Sequence, residues 1–354
     1  MRHIDVCNGD ADGLCAVLQY RLHSPARADL ITGLKRDIAL LDRVSAGPGD
    51  ELLVCDISMQ RNRTALLRLL EQGVRVRYFD HHSVADVPVH PNLQAHIEFG
   101  AAVCSSLLMD RHLGGAQRAW ALVGAYGDNL TEAADALASQ TGLPQRDRAA
   151  LRRLGEAINY NAYGEDENDV HIAPARLYRV MERYRDPLDL LMHEPVAHQL
   201  DQQLQADLER ALAVAPVLQD ERGSVVVLPD APWSRRVLGT LANRLANESP
   251  LRAHALLKAL RGGGYLVSVR APLAGQGGAD RLCGRFGGSG RTAAAGIDHL
   301  PEHELAIFID AFAATDWSTP RSGRTQGTAG PPQGSLTPTG GGPGAARPWG
   351  RQGG

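Results

Sequence analysis

Lysine is almost missing from this chain: Lys35 and Lys258 are its only two, and arginine supplies the rest of the 37 basic residues. So uniform a bias reads as genome-wide composition rather than as a device for gripping phosphate. Aromatic residues are also scarce at 5%, which argues against a platform on which several bases could stack. The five cysteines (Cys7, Cys15, Cys55, Cys104, Cys283) are odd in number, widely spaced and mostly inside apolar runs, so they read as reduced thiols rather than a disulfide framework. No apolar run approaches the roughly eighteen residues that span a bilayer, and "MRHIDVCNGD" has no apolar leader segment. A soluble, cytoplasmic protein without membrane attachment is the expectation. Basic charge is short as well. The formal net charge is −3, and four arginines but no acids lie beyond residue 317, leaving a body of 33 basic against 40 acidic residues. An acidic body disfavours a long nucleic-acid groove, whose affinity comes from neutralising phosphates. Short or small phosphorylated partners stay open.

What is present is organised. Short apolar runs, "HIDV", "ADLITGL", "ELLVCD" and "VRVRYFD", alternate with helical patterns at 13–22 and 60–72. Continuous apolar runs between helices indicate parallel strands covered on both faces. The fold class is therefore α/β, with an N-terminal doubly wound parallel-sheet domain over 1–193. Residues 194–215 read as a connector helix. A smaller mixed α/β domain follows over 216–316, with "SVVVLP", a helix at 234–247, "AHALLKAL", "YLVSVRAP" and a last helix at 302–314. Residues 317–354 are rich in glycine and proline and read as a disordered tail, since so little apolar content cannot offset the entropy of ordering.

The chemistry gathers at the strand ends. In an α/β sheet the ligand crevice lies at the carboxyl ends of the strands. The first strand runs into "VCNGDADG", the third into "VCDIS" and the fourth into "YFDHH", while "GAYGDN" closes a later helix. The set is Asp10, Asp12, Asp56, Asp80, His81, His82 and Asp128, all carboxylate oxygen and imidazole nitrogen. "DADG" alone is also a good helix-capping turn, but like charges this close call for a cation among them. Hard oxygens with histidine suit manganese, or magnesium, better than a structural zinc. Two such ions, one on Asp10 and one on Asp12, would activate a water and stabilise the leaving oxygen of a phosphoryl group. Gly13 allows the tight entry into the helix.

The order "DADG", a lone Asp after a strand, "DHH" and then "GD" resembles the DHH phosphoesterase superfamily, which includes RecJ-type exonucleases, nano-RNases and cyclic dinucleotide phosphodiesterases. "SVRAP" followed by "FGGSGRTAAAGI" resembles the glycine-rich stretch of its associated substrate domain. The resemblance implies Asp10 on the first metal, Asp12 on the second, Asp56 bridging, and His81 and Asp128 completing the second metal's shell. Asp80 would orient a histidine or ligate weakly, and His82 would touch the scissile phosphate or protonate the leaving group. Two departures stand out. Val6 occupies the place of a frequent histidine ligand, and Asn8 that of an acid, so Asn8 would give an oxygen or hold a water at a weakened first site.

On the substrate side, the glycines around Ser289 (Gly287, Gly288, Gly290) would present backbone N–H groups to a phosphate, with "RTAAA" opening a helix behind them. Arg270 and Arg291 are the candidates for bidentate contact with a terminal phosphate or carboxylate. They stand among Arg261, Arg281 and Arg285, which would form a locally basic face. Where relatives carry a histidine after the glycines, Arg291 stands here, shifting recognition from base to charge. The acidic run "YGEDENDVH" reads as a solvated surface loop. The expected activity is metal-dependent hydrolysis of phosphodiesters or phosphomonoesters in short oligonucleotides or small nucleotides. The alternatives are a non-catalytic nucleotide- or RNA-binding module and a single-strand exonuclease. No obligate protein partner is indicated, and the oligomeric state is not.

Overall fold

The computed structural model describes residues 1–275 and 277–317. Five parallel strands form the first sheet: β1 (His3–Asn8), β2 (Ala28–Gly33), β3 (Glu51–Cys55), β4 (Arg75–Asp80) and β5 (Leu93–Ile97), in the order β2-β1-β3-β4-β5. The anticipated parallel strands are all there. The extra one, β5, is a half-buried edge strand with too little apolar content to stand out. Residue parity explains the continuous runs, because alternate side chains of one strand feed two different cores. Cys7, Leu53, Cys55 and Phe79 face α1 (Ala11–His23), whereas Ile4, Val6, Leu52, Val54, Val76 and Tyr78 face α2 (Arg63–Glu71).

Helices then take over: α3 (Ser105–His112), α4 (Arg118–Gly127), α5 (Thr131–Gln140), α6 (Gln145–Asn161), α7 (Pro174–Met181), α8 (Pro187–His193) and α9 (Pro195–Leu212). Glycines let α4 and α6 press together and onto α1. A Cβ on Gly127 would meet Ala11 Cβ at 2.3 Å, and one on Gly155 would meet the Val123 carbonyl oxygen at 2.2 Å. That close approach holds the C-terminal end of α4, and with it Asp128, beside the strand ends.

The second sheet has six strands, β6 (Leu218–Gln219), β7 (Gly223–Leu228), β8 (Ala253–Ala259), β9 (Tyr265–Arg270), β10 (Ser289–Gly290) and β11 (Ala294–Leu300), ordered β10-β11-β9-β8-β7-β6. Only the β7–β8 pair is parallel, joined through α10 (Pro232–Glu248). Helix α10 covers one face, while α11 (Ala279–Gly284) and α12 (Leu305–Ala313) cover the other. The connector helix proves to be a packed element. Leu204, Leu208 and Ala211 of α9 share a core with Tyr160 of α6 and with Val226, Leu238 and Leu256 from the second sheet and its covering helix.

Three expectations are corrected here. The "RTAAA" run opens no helix, because Ala294 and Ala295 enter β11 and pair with Arg270 and Val269 of β9. The "YGEDENDVH" segment is not a solvated loop. Asp169 is 1% exposed and binds Arg235 (2.8 Å) and Arg261 (3.3 Å), Glu165 lies 3.4 Å from Lys258, and Asp166 3.0 Å from Arg261. Those cations lie far downstream in the chain, so nothing local hints at them. Trp317, assigned to the tail, is buried and packs on Phe312 at 5.2 Å between ring centroids. The rest of the proposed tail, 318–354, lies outside the described residues. All five cysteines are free and buried, and no described helix is long and apolar enough to cross a membrane.

Candidate metal centre

The C-terminal ends of β1, β3 and β4 converge, with the end of α4, on an open pocket of about 230 Å³. Its wall includes Asn8, Asp10, Lys35, Asp56, His81, His82, Asp128 and Arg291. Asp10 does two things at once. Its Oδ1 accepts from the Gly13 N–H (3.0 Å) and so caps α1, while Oδ2 accepts from Lys35 Nζ (2.6 Å). Gly13 is required for that turn, because a Cβ there would lie 2.3 Å from the Asn8 carbonyl oxygen. The Asn8 side-chain oxygen turns back to accept from the Asp10 N–H (3.3 Å).

Asp56 follows β3 directly and adopts φ +57°, one of two non-glycine residues among those described with positive φ. The other is Asn129 at +60°, immediately after Asp128. Left-handed backbone is uncommon outside glycine and tends to collect at functional positions; here it occurs at or beside both carboxylates that face the histidine pair. Asp56 is 4% exposed. Burial, and then the charges of Asp10 and Asp12, push its pKa well above the usual carboxylate range, against the pull of His81. Burial likewise raises Asp128 to about 6, with Lys35 pulling it down and Asp12 pushing it up.

His81 Nε2 lies 3.4 Å from Asp56 Oδ1 and 3.9 Å from Asp128 Oδ2. Desolvation opposes its charge, but the hydrogen bond to Asp56 and the fields of Asp12, Asp56 and Asp128 outweigh burial and raise the imidazolium to about 10. His82 Nδ1 sits 2.6 Å from Asp80 Oδ1, which also accepts from the backbone N–H of His81 (2.9 Å) and His82 (3.3 Å). A proton on Nδ1 facing the carboxylate leaves Nε2 as the available nitrogen. Asp80 thus stands where it can orient His82. Asp56, His81 and His82 each offer a ligand atom within 4.8 Å of the others. With Asp128 adjoining, this hard oxygen and imidazole set suits one divalent ion.

Several predicted site residues stand elsewhere. Asp12 does not line the pocket. It is 1% exposed, and its oxygens accept from the N–H groups of Ser105 (2.8 Å) and Ser106 (2.7 Å) at the start of α3, where a helix N-terminus attracts a carboxylate. Its charge still reaches Asp56 and His81. Arg270 is turned into the second sheet, donating to Asn243 Oδ1 (3.0 Å), Ser268 Oγ (3.0 Å) and the Val269 carbonyl (3.1 Å). Only Arg291 of the proposed arginine pair borders the pocket. The glycine loop is not a bare amide cradle either. Gly287 and Gly288 N–H groups donate to the carbonyls of Gly284 and Cys283, and Ser289 and Gly290 pair with Gly296 and Ala295. The five arginines do not form one basic face, since Arg261 is spent on the acidic loop.

Sequence reasoning missed Lys35. Nζ bonds Asn159 Oδ1 (3.2 Å) besides Asp10 and lies 5.5 Å from the Tyr163 ring centroid. Burial works against this ammonium, but Asp10, then Tyr163, Asp128 and Asp56, hold its pKa well above the ordinary lysine value. A signal was available: Lys35 lies two residues beyond β2, at the same sheet edge, and is one of only two lysines.

No protein-family model and no curated protein matches the sequence. Solved structures do. The chain is similar to exonuclease RecJ bound to manganese, with 18% identity over 88% of this chain and 89% of that one and a TM-score of 0.54. The DHH domain of a member of a ribosomal-protein family matches with 14% identity, 88% and 85% coverage and a TM-score of 0.56. RecJ from Thermus thermophilus in complex with Mn2+ matches at 21% identity and a TM-score of 0.52, with 88% of this chain covering 51% of that longer one. Strand ends that deliver acids and a histidine pair to one pocket, on a scaffold shared with these structures over most of its length, give this chain the fold of the DHH-family phosphoesterases.

Proposed function

We propose that the protein is a metal-dependent phosphoesterase acting on short oligonucleotides or small phosphorylated nucleotides. The observation that carries this reading is the meeting of Asp56, His81, His82 and Asp128 in one pocket, where acids raised by burial and mutual repulsion leave room for a cation. The fold it shares with a manganese-bound exonuclease supports the reading. Asp56, His81 and Asp128 would hold the ion, manganese or magnesium. When bound, a divalent ion polarises a phosphoryl oxygen and makes a nearby water acidic enough to attack. Asp80 holds the Nδ1–H of His82, so the imidazolium would give its Nε2 proton to the leaving oxygen and be left neutral with its remaining proton on Nδ1. Lys35 and Arg291 put positive charge on the pocket wall, where phosphate oxygens would lie. A pocket of about 230 Å³ in an acidic body accommodates a terminal phosphate and its neighbours better than a long strand.

Release of p-nitrophenol from bis-p-nitrophenyl phosphate, and of mononucleotides from two- to five-nucleotide RNAs, tests the proposal. Both should require manganese or magnesium, and Asp56→Asn, which tolerates the left-handed backbone, should lower turnover by about a thousandfold or more. Metal-independent release, or none with any divalent ion, would refute it.

A further inference from the structure

The pocket contains a charged group that the metal-site pattern did not call for. We propose that Lys35 is a permanent second cation of this centre: its ammonium takes the place on Asp10 that a first divalent ion would need, so the site holds one exchangeable ion, on the side of Asp56, His81 and Asp128. The proposal rests on the phosphoesterase reading and sharpens it.

Both oxygens of Asp10 are engaged. Oδ1 caps α1 through the Gly13 N–H, and Oδ2 accepts from Lys35 Nζ at 2.6 Å. Val6 is apolar and fully buried and the Asn8 oxygen is turned back to the Asp10 N–H, but Asp56 lies beside Asp10 and remains as a second donor, so the ammonium and not an absence of ligands is what occupies this place. An ion on Oδ2 would sit against an ammonium of the same sign in a buried setting, where repulsion is strong. Nor is Lys35 simply drawn to the nearest acid. Its backbone N–H donates to the Ala162 carbonyl (2.9 Å), Nζ also donates to Asn159, and the side chain lies over Tyr163, so the end of α6 and the residues after it fix the ammonium independently of Asp10. The opposite side has the reverse character. His81 lies 3.4 Å from Asp56 and 3.9 Å from Asp128, with no lysine or arginine hydrogen-bonded to either carboxylate among the described residues.

Equilibrium dialysis of the full chain against manganese, with metal analysis and low-temperature electron paramagnetic resonance, decides the matter. Wild type should bind one ion per chain with the six-line spectrum of isolated Mn2+. Lys35→Ala should bind two and Lys35→Arg one. Should Lys35→Ala fail to fold, Lys35→Gln takes its place. Acetylation mapped by mass spectrometry supplies a second measure, because only Lys35 and Lys258 need comparison: labelling of Lys35 should not rise when manganese is added. Two exchange-coupled ions in wild type, or labelling of Lys35 that rises with metal, would overturn the lysine proposal and leave the phosphoesterase reading standing. A neutral variant that gains no second ion would also overturn it, by showing that missing ligands and not the ammonium limit the site. Failure of wild type to bind any ion would bring down the phosphoesterase reading itself.

Discussion

Replacing Asp128 by Asn should make the metal-free protein more stable while weakening metal binding. Asp128 is held at about 6 by burial and by neighbouring acids, against roughly 3.9 in an unfolded chain. Its ionisation therefore works against folding: little is lost below about pH 4, the loss grows as pH climbs towards 6, and it levels off above. At pH 7.5 the gap corresponds to about 3 kcal/mol, and at pH 4 to under about 0.5 kcal/mol. Asn keeps the shape of the side chain at the end of α4 and removes the charge. Urea unfolding of both proteins in chelator should then show a gain of about 3 kcal/mol for Asp128→Asn at pH 7.5 that nearly vanishes at pH 4. Saturating manganese should reverse the order or erase the gain, since wild type is stabilised by about 2.7 kcal/mol when free metal is a hundredfold above its dissociation constant, and by more at higher excess. A variant no more stable than wild type at pH 7.5, or a gain that ignores pH, would refute the reasoning that crowded charge destabilises the empty site.

The same electrostatics predict that manganese binding expels a proton. His81 stays charged up to about 10 in the metal-free protein, so a coordinating imidazole must lose its proton, and affinity should rise from pH 6 to pH 8; buffers of different ionisation enthalpy in titration calorimetry would report the release. Away from the site, Asp207 is fully buried and accepts from Arg236 Nη2 (2.7 Å) and Tyr160 Oη (2.5 Å), so Asp207→Ala should destabilise by roughly 3–5 kcal/mol, read from the urea midpoint.

Much of this architecture can be read from the sequence. The β1, β3 and β4 strand ends are legible because three apolar runs each finish on acids or histidines, and backbone topology alone then brings Asp10, Asp56 and His81 together. Asp128 is legible as the end of a helix, although its placement depends on Gly127 and Gly155 meeting neighbouring helices, which no local pattern announces. Asp12 escapes the reading because spacing cannot tell which way a carboxylate turns. Lying on the first turn of α1, it points to the start of a helix 93 residues later. Arg270 fails similarly, its guanidinium being satisfied by Asn243, which sequence distance hides. Lys35 is easily passed over, since a lone lysine in an arginine-rich chain looks compositional, and only the contact with Asp10 gives it meaning.

The acidic segment after α6 has a mechanical consequence. Asp169, Glu165 and Asp166 reach across to Arg235, Lys258 and Arg261, so the two sheets are riveted by charge at a distance set during folding. Arg291 then faces the acids and imidazoles of the first sheet across a gap whose width the rivets determine. A gap locked at one opening, like a set caliper, would favour guests of one length, and salt strong enough to loosen the rivets should widen that choice before it unfolds either sheet.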